Sequence, residues 1–296
     1  MLGVVNLDKP VGPTSHDMVG LLRRLTGTRR IGHAGTLDPL ASGVLPILVG
    51  GATRFSEELT GGWKRYEAVI RLGARSATDD AEGPIEPSGI PVLDEATVRE
   101  ALDAFIGTFE QRPPAFSARK QAGRRAHRAA RAGESLELPP RTVTVESIEL
   151  LAYEPAGATA DLRVDLRCGA GTYVRSIARD LGERLGCGAH LAALRRTEAA
   201  GLRAEDAVTP EDLESLAADG RLQDAVLPVA PLLPLPRLSL DADAARRFRH
   251  GSPQPVDDDD LRGRVAVFAG AQLIGVGRLD GGTLQPEKVL AEEAAS

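Results

Sequence analysis

The residues best placed to do chemistry lie in one segment, His33-Ala34-Gly35-Thr36-Leu37-Asp38-Pro39-Leu40-Ala41-Ser42-Gly43. Proline disfavours the α region for the residue before it, so Pro39 holds Asp38 extended. Gly35 and Gly43 let the backbone on either side run close to another surface. A stiff loop of this kind can present a single carboxylate, although Asp-Pro taken alone more often marks a plain turn. A carboxylate glycosidase acting on nucleosides usually needs paired carboxylates. The sequence offers Asp38 no convincing partner, since Asp79 and Asp80 qualify only by their place in the chain. Two cysteines, Cys168 and Cys187, make neither a disulfide framework nor a four-ligand zinc set, so no metal is expected and both thiols should be reduced and near the core.

The elements around this loop have readable periods. Gly3 to Leu7 is a short apolar run ending in the turn-rich DKPVGPTS, after which Met18, Leu21, Leu22 and Leu25 fall at helical spacing. Ser15 is the expected cap of that helix and Gly27 its stop. Residues 28–42 show neither period and read as a long loop, the kind of segment that carries function on a rigid scaffold, before the strand-like VLPILV. Tyr66-Glu67-Ala68-Val69-Ile70-Arg71-Leu72 alternates strictly, a strand with Tyr66 on its apolar face, where an ordinary core tyrosine is the plain reading. A helix capped by Asp94 turns Val98, Leu102, Phe105 and Ile106 inward, and strands are expected at about 142–152 and 161–168. Val174, Ile177, Ala178, Leu181 and Leu185 then make the apolar stripe of a helix opened by Gly169-Ala170-Gly171-Thr172. Strands and helices mix without a regular βαβ beat, which predicts an α+β fold. Four prolines in residues 226–236 (VLPVAPLLPLP) predict an extended linker, and VAVFA with QLIGVGRL a hairpin in a small β-rich domain.

Taken in order, GVVNLDKPVGPTS, HAGTLDPLASGVLPILVGGATRF, KRYEAVIRLG with SATDDAEG, and GTYVRSIARDLGERLGCGAHLAALRRT resemble the TruB family of tRNA pseudouridine synthases over essentially residues 2–212. The resemblance implies a mixed, largely antiparallel curved sheet flanked by helices in residues 1–230, and a small C-terminal domain of the PUA type in residues 237–296. It implies a cofactor-free isomerase that turns a tRNA T-loop uridine into pseudouridine on a flipped-out nucleotide. In that chemistry Asp38 matches the nucleophile, adding to the sugar or to the ring, because an ionised carboxylate can attack covalently or stabilise positive charge at C1′. Arg175 matches the arginine expected to pair with Asp38 and keep it anionic. Tyr66 matches the tyrosine that lies against the uracil, where stacking is worth about 1–3 kcal/mol per base, and helps with the C5 proton. His33 matches the histidine that stacks where the flipped base had been. Tyr173 and Leu194 match positions that close the uracil pocket, and Lys9 and Lys120 match basic positions near substrate. Core packing for the first two and solvated charge for the lysines are the bland alternatives. The stretch GRRAHRAAR departs from the family, with His127 where a tyrosine is common.

A formal net charge of −6 argues against indiscriminate coating of nucleic acid, so the distribution of charge decides. Between Asp17 and Asp38 the charged side chains are Arg23, Arg24, Arg29 and Arg30, and Gln111 to Gly133 holds seven basic residues and no acidic one. These stripes fit contact with tRNA at the T-loop and T-stem, although either alone is equally a solvated helix face. In the tail, the Asp257–Asp260 run would repel phosphate, which leaves Arg246, Arg247 and Arg249 as the contact side. The rival from another class is a non-catalytic tRNA-folding chaperone, disfavoured because binding alone needs no carboxylate pressed against RNA. No secretory signal and no membrane-length apolar run is present, so a cytoplasmic monomer with no membrane contact and no required protein partner is expected.

Overall fold

The computed structural model describes residues 1–88, 94–114, 139–257 and 260–291, with the backbone of a short ladder at 120–121 and 124–125. The basic stretch that holds Lys120 and His127 therefore lies outside the described side chains. Among the described residues, nine strands form a mixed sheet whose main path runs Gly3–Lys9, Ala41–Val49, Ala189–Ala199, Lys64–Leu72, Thr159–Cys168, Arg141–Ala156, Gly107–Gln111. Every neighbour on that path is antiparallel except Ala41–Val49 with Ala189–Ala199, which run parallel. The fold is thus the α+β arrangement that the mixture of periods predicts.

Three apolar stripes cover one side of this sheet. The helix Ser15–Thr26 buries Met18, Val19, Leu21 and Leu22, the helix Val174–Arg184 buries Ile177, Ala178 and Leu181, and Glu95–Asp103 buries Val98 and Leu102. All pack with Tyr66, Ala68 and Ile70 of the central strand, whose alternating burial is the period-2 pattern of its sequence. Beyond residue 237 a second sheet of five strands curls around Phe248, a fully buried side chain on the helix Ala242–Arg249, and includes the expected hairpin Gly263–Ala269 and Gln272–Asp280. Both cysteines are free and buried.

Four local expectations need correction. Thr14, not Ser15, caps the first helix, its hydroxyl accepting from Asp17 N in a full capping box. Ser15 is buried, and its hydroxyl accepts from Leu37 N at 2.8 Å and donates to Leu37 O at 3.0 Å, fastening the helix to the segment that carries Asp38. The loop of residues 28–42 contains a three-residue strand, Ile31–His33, paired with Ala41–Val49, because two strands already side by side leave an edge that a third backbone can satisfy. Ile106 is exposed, since the helix ends at Asp103 and of Phe105 and Ile106 beyond it only Phe105 turns into the core.

The proline-rich stretch is no free linker either. Leu227 exchanges two 2.8 Å backbone hydrogen bonds with Val4, and Val229 and Leu233 are buried between the two sheets. The seam also carries charge: Glu58, its side chain almost wholly enclosed, takes Lys288 at 2.9 Å and Arg264 from the small domain.

Replacing Ser15 by alanine strands a buried N–H and carbonyl at Leu37 and is expected to cost about 1–3 kcal/mol of unfolding free energy. Thr14→Ala loses a cap and costs a similar ~0.5–2 kcal/mol. Amide exchange separates them: Ser15→Ala should speed exchange at Leu37 while Thr14→Ala leaves it protected. Equal protection in both variants would mean that Ser15 does not hold this loop.

Candidate active site

Strand register assembles the site. Where Ala41–Val49 meets Ala189–Ala199, Gly43 lies beside Arg196, and on the other side of that strand Arg196 lies beside Tyr66. Gly43 sits at φ +99°, and a Cβ there would come within 2.2 Å of Arg196 O, so both conformation and contact demand glycine. The loop that carries Asp38 is therefore pulled tight against the strand that carries Leu194 and Arg196. Lys9 braces it from below. Its ammonium is fully enclosed and donates to the carbonyls of Pro10 at 2.8 Å, Pro13 at 2.7 Å and Pro39 at 3.5 Å.

The opposite wall comes from the helix Val174–Arg184 and the turn before it. Gln111, fully buried, grips that turn through a two-way bond: its amide accepts from Tyr173 N at 2.9 Å and donates to Tyr173 O at 3.0 Å. Arg175 follows one residue into the helix. Its guanidinium reaches Asp38 at 3.0 Å on one side and Asp80 at 3.1 Å on the other, and donates to Thr78 O at 3.1 Å. The three charges form a gradient of exposure. Asp80 is 2% exposed, Arg175 7% and Asp38 38%, so the charged row starts in the core and ends with one carboxylate open to the cleft. Asp80 is itself held by Thr78 Oγ1 and by Glu82 N at 3.0 Å. The turn that aims it passes through Asp79, a non-glycine at φ +61°, a region that aspartate tolerates better than most side chains.

Between these walls is a cleft of about 250 Å³ lined by Asp38, Tyr66, Lys64, Tyr173, Arg175, Leu194 and Arg196, among others. Tyr66 is buried, and that burial raises its phenol above the usual range; a hydrogen bond and positive charge from Arg196 work the other way. It is a neutral, uncharged face at neutral pH. Lys64 stands two residues away on the same face, and burial, followed by repulsion from Arg196, brings its ammonium down to about 8.

The residues expected from the sequence divide accordingly. Asp38, Tyr66, Arg175, Tyr173 and Leu194 come together around the one cleft. His33 does not line it; it is half-buried at the end of its short strand, and burial, then Arg196 and His16, lower its imidazole into the neutral form. Lys9 is placed beneath the loop, its ammonium turned to backbone carbonyls and not to solvent. Asp80, Lys64, Arg196 and Gln111 join the site without a sequence signal that marks them as its members. Asp80 was noted only as a possible second carboxylate, and Lys64 and Arg196 sit inside the quoted motifs KRYEAV and LRRT, where residue type alone does not tell a buried cation from a solvated one.

Three family models match successive parts of the chain. The TruB family pseudouridylate synthase N-terminal domain matches residues 23–174, the tRNA pseudouridylate synthase B C-terminal domain residues 175–233, and the C-terminal domain of pseudouridine synthase II TruB residues 236–290. A tRNA pseudouridine synthase B of Burkholderia mallei (strain NCTC 10247) is 44% identical over 301 residues, covering 99% of this chain and 98% of that protein. The protein of the same name from Ralstonia nicotianae is 42% identical, covering 97% and 94%. Among solved structures, a chain of an H/ACA ribonucleoprotein bound to a substrate RNA containing 2′-deoxyuridine superposes with a TM-score of 0.75 at 27% identity, over 98% of this chain and 85% of that one. A chain of a Cbf5–Nop10–Gar1 complex gives 0.74 at 29%, over 97% and 84%. With the fold, the matched domains and near full-length relatives in agreement, the chain belongs to the TruB family and is an RNA pseudouridine synthase.

Proposed function

We propose that this enzyme isomerises a T-loop uridine of tRNA, with Asp38 as nucleophile on a nucleotide swung out of its stack. The observation that carries the reading is the exposure gradient along Asp80, Arg175 and Asp38, which leaves one anchored carboxylate facing a cleft walled by Tyr66 and Leu194. A cleft of about 250 Å³ falls just below the ~300–1,000 Å³ of pockets for drug-sized ligands, a size nearer to one extruded base than to a stretch of stacked duplex. Extrusion costs a few kcal/mol.

The reaction breaks C1′–N1, turns the uracil, joins C5 to C1′ and moves the proton from C5 to N1. No redox step enters. Asp38, ionised and fixed, adds to C1′ or to the ring; Tyr66 covers the uracil face so that the detached base stays while it turns; Tyr173 and Leu194 close the pocket. Neutral His33, on the strand that leads into the catalytic loop, fills the gap in the T-loop stack. Arg23, Arg24, Arg29 and Arg30 flank that loop as exposed cations with no carboxylate partner among the described residues, a surface suited to the phosphates of the T-stem. The isolated chain acts as a monomer, without a protein partner.

Asp38→Asn removes charge with little change of shape, and is expected to abolish pseudouridine formation on an unmodified tRNA transcript while leaving the binding constant within a few fold. Turnover by the purified variant would refute the nucleophile. Tyr66→Phe should keep stacking, and so affinity, while slowing the proton step by about 10²–10⁴-fold. If affinity falls as much as rate, the tyrosine is structural. Asp80→Asn frees one side of Arg175 and should cost about 10²-fold in kcat through misplacement of the pair, with little change in KM; an unaltered kcat would show that Asp38 alone orients the guanidinium.

A further inference from the structure

Two cations in the cleft have no part in the steps above. Lys64 and Arg196 both line it beside Tyr66, and among the described residues neither is paired with a carboxylate. Lys64 Nζ donates to Thr60 O at 2.7 Å and Gly62 O at 2.8 Å. Arg196 Nε donates to Val44 O at 2.7 Å and Nη2 to Gly35 O at 3.0 Å, and its remaining reach is to the Tyr66 hydroxyl. An ammonium has three donors, and carbonyls of the turn before the strand take two of them. The third has no protein acceptor among the described residues.

Enclosing two positive charges without an anion is costly, and carbonyl dipoles offset that only in part. Lys9 shows that an enclosed ammonium bound to carbonyls can serve as a structural tie alone; Lys64 differs in lining the cleft, in leaving one donor unused and in having a second cation behind it. What such a pair provides is a fixed positive potential in the cleft, waiting for negative charge to appear. Preorganised donors of this kind act most strongly on charge that develops during reaction.

We propose that Lys64, backed by Arg196, is a catalytic residue that stabilises the negative charge on the uracil while it is detached. The inference rests on the Asp38 reading above. When C1′–N1 breaks, its electron pair leaves with the uracil and spreads over N1, O2 and O4, while a carboxylate oxygen of Asp38 bonds to C1′. In the rejoining step C5 supplies the pair for the C5–C1′ bond, the bond from Asp38 breaks and its pair returns to the carboxylate. C5 then loses its proton, and N1 gains one. If Asp38 adds to the ring instead, the displaced pair again resides on the uracil, at C5 and O4. Both routes need a cation beside the base, and Tyr66, which covers it, is the strand neighbour that Lys64 and Arg196 flank.

The alternative for Lys64 is the opposite one, a neutral amine that takes the C5 proton. The pH dependence decides. Arg196 and Cys168 are the groups that act on Lys64 from the neighbouring strands, with Tyr66 on its own strand and Asp38 across the cleft. The Cys168 thiol is pushed up to about 11 by burial and stays neutral, as does Tyr66. Lys64 therefore titrates near 8. A stabilising cation is present below that pH and lost above it, so the single-turnover rate on an unmodified tRNA transcript should fall as pH rises through about 8. A rate that instead climbs to a plateau there identifies a base and overturns the proposal. Lys64→Met should lower the single-turnover rate by about 10²–10³-fold, the usual loss for one such donor, with tRNA affinity unchanged within about twofold. Lys64→Arg should restore most of the rate and carry it to higher pH. Equal loss in Met and Arg variants, with a lowered melting temperature, makes the lysine structural and sinks the idea; the pH profile of the unsubstituted enzyme stands even if a variant fails to fold. Asp38→Asn in parallel separates the two readings: an inert Asp38→Asn beside a fully active Lys64→Met defeats this inference alone, whereas an active Asp38→Asn defeats the reading beneath it.

Discussion

An enclosed guanidinium is tolerable only where carboxylates and carbonyls replace the water it has lost, and the site of this enzyme is arranged around that requirement at Arg175. Removing one partner of a buried pair is far more damaging than never having built the pair, because it leaves a charge without compensation. Arg175 meets the need twice over, with Asp80 and Thr78 O behind it and Asp38 in front. The redundancy has a consequence. With Asp80 enclosed and itself hydrogen-bonded, the guanidinium keeps a partner whatever happens to Asp38, so the proposed bonding of the front carboxylate to carbon would not leave Arg175 without compensation. Asp80 anchors Arg175; Asp38 faces the cleft.

The position of Asp38 is fixed by backbone contacts more than by side chains. Gly43 abuts Arg196 where a Cβ would collide, Ser15 clasps both polar groups of Leu37, and Lys9 draws in Pro39 O. Gln111 does the same for the turn at Tyr173 on the other wall. Each of these joins residues far apart in the chain, and each acts on a peptide group within a residue or two of a cleft side chain. The cleft is thus held to a geometry set by the sheet, although Asp38 sits on a loop.

That construction explains what could be read in advance and what could not. Tyr66 was legible because strict alternation assigns it a face, and Asp38 because proline and glycine have local effects that any sequence shows. The helix of Arg175 was legible from its apolar stripe. The partner of Arg175 was a different matter: Asp79 and Asp80 are adjacent and identical in type, and only a left-handed residue at Asp79 turns one toward Arg179 and the other toward Arg175. Ser15 and Thr14 posed the same difficulty, since either can cap a helix and the choice falls to a contact with Leu37, far along the chain. The proline-rich stretch was read as a linker because proline removes donors; yet only Val4 and the apolar seam between the sheets determine that it packs.

The same reasoning bears on how an acidic protein comes to work on a polyanion. Its formal charge of −6 is spread over a solvated surface where ions screen it, whereas the cations that matter are enclosed. In and beneath the cleft stand Arg175, Arg196, Lys64 and Lys9 against the carboxylates of Asp38, Asp80 and Glu82. Three of those cations, Lys9, Lys64 and Arg196, are bonded to carbonyls, which carry no net charge and so leave their charge uncancelled. Screening falls away with burial, so a surplus of this kind outweighs a larger and more distant charge of the other sign once a nucleotide has entered. In the proposed reaction, affinity for the whole RNA can then be modest and carried by exposed arginines, while the enclosed cations act on the one base that reaches them.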